Sequence, residues 1–320
     1  MWHAQFGALR VDGGVRFRTV APEGTDLRLV LQGGPMSGDY EMVEVGGGIF
    51  DLLIPDVGAG QRYGYRLGGS DLLPDPASRF QPDGVHGPSE VVDPGAFAWH
   101  DRGWRGVPAH GLVIYELHIG TFAPDGTFAS VRDRLEALRD LGVTAIEIMP
   151  VADFAGSRNW GYDGASPYAP SRAYGRPDDL RALVDRAHHL GLAVILDVVY
   201  NHLGPEGAYL PRFLPRYLTD RHETPWGRAV NLDGPGSDLV RRFITDNAVH
   251  WIREYHLDGL RLDATHALID SSPLPFMQEF ARHVRGSVDR PIVLHAEDHR
   301  NLDEIINHDS PRAWGFDGEW

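Results

Sequence analysis

The stretch Asp258-Gly259-Leu260-Arg261-Leu262-Asp263-Ala264-Thr265-His266 decides how the chain is read. Leu260 and Leu262 alternate with Arg261 and Asp263, the period of a strand whose two faces differ. Residues two apart on a strand point the same way, so Arg261 and Asp263 share a face. A guanidinium beside a carboxylate keeps it ionised and fixes its orientation, which is what a carboxylate nucleophile requires. An isolated Arg-x-Asp is equally an ion pair on a sheet edge, so the surroundings have to decide.

Outward from that stretch the pattern is regular. From Val113 onward, apolar segments at 113–117, 145–149, 193–199, 259–263 and 292–295 alternate with amphipathic segments at 130–141, 178–190, 237–255 and 274–285. This alternation predicts a parallel sheet of five strands with helical crossovers. Gly142 and Gly191 are the expected helix stops. In parallel barrels the reacting groups sit at the C-terminal ends of strands, and Asp197, Asp263 and Glu297 all fall there. The long irregular excursion at 200–236 is too long for an ordinary loop unless it is functional. His188 and His189, on a predicted helix, are expected to be solvated.

Before Val113 the grammar is different. Short strands at 14–20, 27–31, 49–54 and 63–67, punctuated by glycine and proline, suggest a small antiparallel sandwich over 1–90 whose aromatics pack inward. Proline, glycine and acid dominate from Asp75 to Gly106, and 91–112 is read as the linker to a domain at 113–320.

Composition narrows the chemistry. A net charge of −15 over 320 residues disfavours nucleic acid and anionic membranes as partners. No cysteine is present, which excludes disulfides and thiolate chemistry. No stretch reaches the ~18 apolar residues of a membrane span, and no secretory leader pattern opens the chain, so a cytoplasmic enzyme is the expectation.

Three segments in order, Asp197-Val198-Val199-Tyr200-Asn201-His202, Asp258 to Ala264, and His295-Ala296-Glu297-Asp298, resemble the alpha-amylase superfamily of retaining glycoside hydrolases. The resemblance implies an N-terminal immunoglobulin-like β-sandwich followed by a (β/α)8 TIM barrel. It implies Asp263 as nucleophile and Glu297 as acid/base, with Arg261 orienting Asp263. His202, Tyr162, Trp160 and His266 become sugar contacts, and Asp197 and Asn201 organisers of the site. No metal and no cofactor are expected, since no cluster of acidic ligands with calcium-site spacing stands near Asn201. A barrel of this kind takes about 250 residues. Only 208 follow from Val113, so an incomplete barrel is expected, with the superfamily's third carboxylate beyond Trp320. Asn307-His308-Asp309 imitates the motif of that carboxylate but stands too close to Glu297 to follow two further strands.

Longer segments, Tyr200 to Gly207, Thr224-Pro225-Trp226-Gly227, Asn231 to Pro235 and Glu297 to Asn301, resemble the trehalose-releasing branch of that superfamily. Its members hydrolyse the α-1,4 bond beside the terminal trehalose of maltooligosyltrehalose. A glucan-branching transferase, or a catalytically silent carbohydrate-binding relative, remains an alternative on the same scaffold.

Overall fold

In the computed structural model, which describes residues 4–320, the glycine-punctuated start of the chain becomes short strands. They are β1 (Gly7–Val11), β2 (Gly14–Val20), β3 (Leu27–Gln32), β4 (Gly38–Glu41), β5 (Val43–Gly46), β6 (Ile49–Pro55), β7 (Arg62–Leu67) and β8 (Ser89–Glu90). They pair antiparallel in two four-stranded sheets, ordered β1-β2-β6-β5 and β4-β3-β7-β8. Phe17 of β2 meets Tyr63 of β7 edge-on at 5.0 Å, and Tyr63 meets Tyr65 at 6.0 Å. All three rings are buried, so the alternating aromatics are core.

The proline- and acid-rich stretch beginning at Asp75 is no spacer at its start. Asp75, Ser78, Arg79 and Gln81 are buried. The Asp75 carboxylate accepts the Tyr63 hydroxyl at 2.7 Å and the Ala77 N–H at 2.9 Å. Burial lifts its pKa to about 6. Composition alone suggested a solvated segment, but these polar groups find partners inside, as buried ones must.

Further along come β9 (Ile114–Leu117), β10 (Ala145–Ile148), β11 (Ala152–Asp153), β12 (Ser166–Pro170), β13 (Ala193–Val198), β14 (Leu218–Thr224), β15 (Gly227–Val230), β16 (Gly259–Leu262), β17 (Val293–Ala296) and β18 (Gly318–Glu319). Six of these form one parallel sheet ordered β18-β17-β16-β13-β10-β9, so neighbours in sequence are neighbours in space. The sequence pattern gave five strands. The sixth, β18, is two residues long and carries no apolar run that could signal it. The helices Pro177–His189, Ser237–Glu254 and Phe276–Arg285 stand where periodicity placed them. The segment predicted as one helix at 130–141 is two, Phe128–Arg132 and Leu135–Leu141. Gly142 and Gly191, at φ of 97° and 79°, end helices in the left-handed region that glycine enters freely. Among the described residues no helix is long and apolar enough to cross a membrane.

The chain divides into two units. Met1–Ala98, Ala152–Asp178 and Gly204–Pro215 make the first, with the two antiparallel sheets and the β11–β12 pair; Trp99–Val151, Asp179–Leu203 and Arg216–Trp320 make the second. In the second unit the register pairs Glu147 with Ile195, Asp197 with Arg261, and Arg261 with His295. Paired residues in a parallel sheet project to the same side, as do residues two apart. One face therefore runs from an apolar floor to a polar rim. Ala145, Ala193, Ile195 and Val293 form the floor, packed against Trp104, Val107, Leu112 and Ile114. Glu147 stands level with Ile195; Asp197, Arg261 and His295 lie one step above, and Asp263 and Glu297 follow at the ends of β16 and β17.

Candidate active site

The strand ends bring three carboxylates to one guanidinium. Arg261 Nη1 lies 2.7 Å from Asp197 Oδ2 and 3.1 Å from Asp263 Oδ1, while Nη2 lies 3.2 Å from Glu297 Oε2. Asp263 and Arg261 thus meet as the alternation of β16 required. Asn201, just past β13, donates from Nδ2 to Asp263 Oδ2 at 2.8 Å and to the Asp263 carbonyl at 3.0 Å. Asp197, Arg261 and Asp263 are buried, whereas the Glu297 side chain is 40% exposed. The cluster therefore opens to solvent on the Glu297 side.

Burial pushes the Asp263 carboxyl above the ordinary range, and the nearby Glu297 charge adds to this; the Asn201 and Arg261 contacts pull the other way. The arginine thus offsets desolvation without abolishing it. Glu297 is held from a second direction by the Ala264 N–H, 2.7 Å from Oε2. Ala264 sits at φ 43°, a left-handed conformation uncommon for a residue with a Cβ. Such strain at a strand end aims a backbone donor into the site. Behind Glu297, the Thr265 hydroxyl reaches Asp298 Oδ2 at 2.8 Å, and Arg300 Nε binds Asp298 Oδ1 at 2.9 Å.

Two side chains near this cluster escaped the sequence reading. Trp226, at the turn between β14 and β15, is 46% exposed and stacks on His202 with ring centres 4.9 Å apart and planes 4° apart. His266 lies 6.4 Å from the same indole, and His299 lies 4.3 Å from His266. His202 Nδ1 in turn meets Asn201 Oδ1. A flat, half-exposed ring beside polar groups is the surface that the apolar face of a sugar fits. The residue type was visible in the sequence, but its place beside His202 was not.

Glu147 is the second. It is fully buried on β10, and among the described residues neither carboxylate oxygen has a hydrogen-bond partner. Burial raises its pKa to about 8, helped by the charges of Asp197 and Glu116 and opposed by Arg261. It stands in an apolar run and offers no local signal of its role.

Trp160 and Tyr162 belong to the first unit, in the loop between β11 and β12. Trp160 is 62% exposed and Tyr162 half-buried, while the neighbouring Tyr168 and Tyr174 are core. Asn159 Oδ1 shapes this loop by accepting the Gly161 N–H at 2.7 Å. Asp309 is exposed in a loop near the end of the chain, as its crowding against Glu297 implied. His188 is a correction. It is buried, not solvated, with Nδ1 2.9 Å from Asp101 and Nε2 2.9 Å from Asp258, and Trp104 stacked on it at 4.6 Å. Among the described residues no group of three or more histidine, aspartate or glutamate side chains is arranged to hold a metal ion.

Comparison with known proteins adds the following. The family model described as alpha amylase, catalytic domain, matches residues 82–216. The malto-oligosyltrehalose trehalohydrolase of Saccharolobus solfataricus is 45% identical over 98% of this chain and 55% of its own length. The enzyme of that name from Deinococcus radiodurans is 49% identical over 88% of this chain and 45% of its own. A crystal structure of an alpha-amylase-type protein from Salmonella typhimurium superposes with a TM-score of 0.91 at 44% identity, covering 100% of this chain and 54% of that one. The chain spans about half the length of the curated relatives it matches.

Proposed function

We propose that the chain is a member of the alpha-amylase superfamily, most like the malto-oligosyltrehalose trehalohydrolases it matches, and that it supplies the carboxylate pair that cuts the α-1,4 bond beside the terminal trehalose of maltooligosyltrehalose. Asp263 attacks the anomeric carbon while Glu297 gives its proton to the departing glycosidic oxygen. Glu297, now a base, takes a proton from water, and the hydroxide formed releases the sugar from Asp263 with retention. Arg261 orients Asp263, and Asp197 and Asn201 hold that arrangement. His202, His266 and Trp226 provide polar and stacking contacts to the glucan.

One observation carries this reading: Asp263 and Glu297 end neighbouring parallel strands and share one guanidinium, at 3.1 and 3.2 Å. Neighbouring strands lie about 4.8 Å apart, of the order of the 5–5.5 Å that a retaining pair requires. In this reading residues 1–90 are an immunoglobulin-like sandwich, 91–112 the linker, and 113–320 the first part of the barrel with 200–236 as the insertion that walls the cleft. Two four-stranded antiparallel sheets support the first of these assignments.

Trehalose release from maltooligosyltrehalose is the test, beside Asp263→Asn and with plain maltooligosaccharide as competitor. Residues 1–320 by themselves should bind without turnover. Joined to the C-terminal half of one of the relatives, they should release trehalose only with Asp263 intact. Turnover by the 320 residues alone would remove the need for a third carboxylate elsewhere. New branch points in linear glucan would make the protein a transferase on the same pair.

A further inference from the structure

Among the described residues the strands β14 and β15 pair only with each other. A lone two-stranded hairpin is marginal in water, so its anchors decide where its tip points. Its base is packed, with Ala229 and Val230 fully buried, but Glu223, Trp226, Gly227 and Arg228 are exposed. Burial alone therefore does not aim Trp226. The turn itself is well specified: Gly227 takes φ 98°, and the Thr224 hydroxyl oxygen accepts the Trp226 N–H at 3.2 Å.

What ties the exposed half down is one carboxylate. Thr219 pairs with Ala229 and Glu223 with Arg228, so Asp220, Arg221 and His222 have no residue opposite. Such a bulge re-aims side chains, and here His222 Nε2 points to Asp233 Oδ2 at 3.0 Å. The same oxygen accepts the Ser271 N–H at 3.0 Å and meets the Ser271 hydroxyl, in the loop that follows the Asp263 strand. Arg221 Nη1 adds a bond to the Asp233 carbonyl at 2.8 Å. The Asp233 side chain is 1% exposed. Arg241 fixes the frame on both sides, bonding the Leu232 carbonyl at 2.7 Å and Asp270 Oδ2 at 2.7 Å, each one residue before a member of the clasp.

We propose that Asp233 is a positioning residue. By gripping His222 inside the hairpin and Ser271 beside the nucleophile strand, its carboxylate holds the β14–β15 tip so that Trp226 lies flat on His202. That the stacked pair faces a glucan rests on the function proposed above; that Asp233 sets the stack does not.

The test uses Asp233→Asn and Ser271→Ala in the 320-residue chain, with Trp226→Phe to assign the indole signal. NMR reads the Trp226 indole and the His202 ring, whose shifts report their stacking, while the other indole signals and the melting curve report the fold. Both variants should move the Trp226 and His202 signals and leave the other indoles in place. Should Asp233→Asn fail to fold, the exposed Ser271 decides. Wild-type positions for both signals in the folded variants would overturn the proposal. Maltopentaose titration then reads the consequence, a loss of about tenfold in affinity for Asp233→Asn, the scale of one charge-assisted hydrogen bond. If the wild-type chain binds no maltopentaose, the glucan reading falls and the NMR signals alone judge Asp233.

Discussion

Asn201 grips Asp263 at two points, the carboxylate oxygen at 2.8 Å and the main-chain carbonyl at 3.0 Å. One amide from the end of β13 thus fixes both where the β16 end lies and how its carboxylate is turned. Arg261 supplies charge to Asp263, but it divides that charge among Asp197, Asp263 and Glu297. The Asn201 amide nitrogen gives both its bonds to Asp263, while its oxygen meets His202.

Asn201→Ala should therefore unsettle Asp263 more than its neighbours. Losing donors to a buried charged acceptor costs about 1.5–3 kcal/mol. The Asp263 pKa, already raised by burial, should climb further because a hydrogen bond that favours the ionised form is gone. Denaturant melts and a carboxyl NMR titration read the two effects. An unchanged Asp263 titration would mean that Arg261 suffices.

Glu147 should be a stability cost whose size depends on pH. Its folded pKa of about 8 lies above the ordinary 4.5. Between those values the unfolded chain is ionised while the folded chain keeps its proton, so stability falls as pH rises through that window. Glu147→Gln removes the titration. It should stabilise the protein at pH 7 by up to about 3 kcal/mol, with no gain below pH 4.5. A wild-type melting profile that is flat from pH 5 to 8 would contradict a buried, protonated Glu147.

At the opposite end of the sheet, His188 and His256 share Asp101 and should respond to pH with opposite signs. Burial pushes His188 down, but its bonds to Asp101 and Asp258 and their charges more than reverse this, so its pKa is raised. Its contribution is complete below about pH 6.5 and is lost as pH rises through the raised value. Burial lowers His256, with Arg290 and His188 reinforcing, although Asp101 opposes this. The neutral His256 therefore becomes a liability as pH falls below about 6.5. The deficit of His188→Gln relative to wild type should shrink on going from pH 6 to 9, whereas that of His256→Gln should grow from pH 5 to 7. Parallel pH dependence for the two variants would refute the assignment.

How much of this was readable beforehand follows from the range of the interactions. The pairing of Arg261 with Asp263 is a two-residue relationship that strand alternation states outright, and the strand-end positions of Asp197 and Glu297 follow from the repeat of strand and helix. His188 looked solvated because the two aspartates that enclose it lie 87 and 70 residues away. Asp75 gave no sign of burial within its proline- and acid-rich stretch because its partner Tyr63 lies on the preceding strand. β18 was missed because two residues are too few to show a period. Trp226 stood in plain view within Thr224-Pro225-Trp226-Gly227, yet nothing local says that a hairpin tip folds back onto the residue after Asn201.

That fold-back yields a direct test of the cleft. Trp226 is half-exposed, so removing its ring should cost little stability, and its parallel stacking on His202 presents one flat surface joined to Asp263 through Asn201. Aromatic contacts of this kind contribute about 0.5–1.5 kcal/mol beyond the area they bury, so Trp226→Ala should weaken maltopentaose binding roughly three- to thirtyfold once that burial is included. Trp226→Phe should keep most of the binding because a flat ring remains. Calorimetric titration of the three proteins separates the cases. Equal affinity for wild type and Trp226→Ala would place the glucan away from the hairpin, whereas a loss restored by phenylalanine would put a sugar face on the ring.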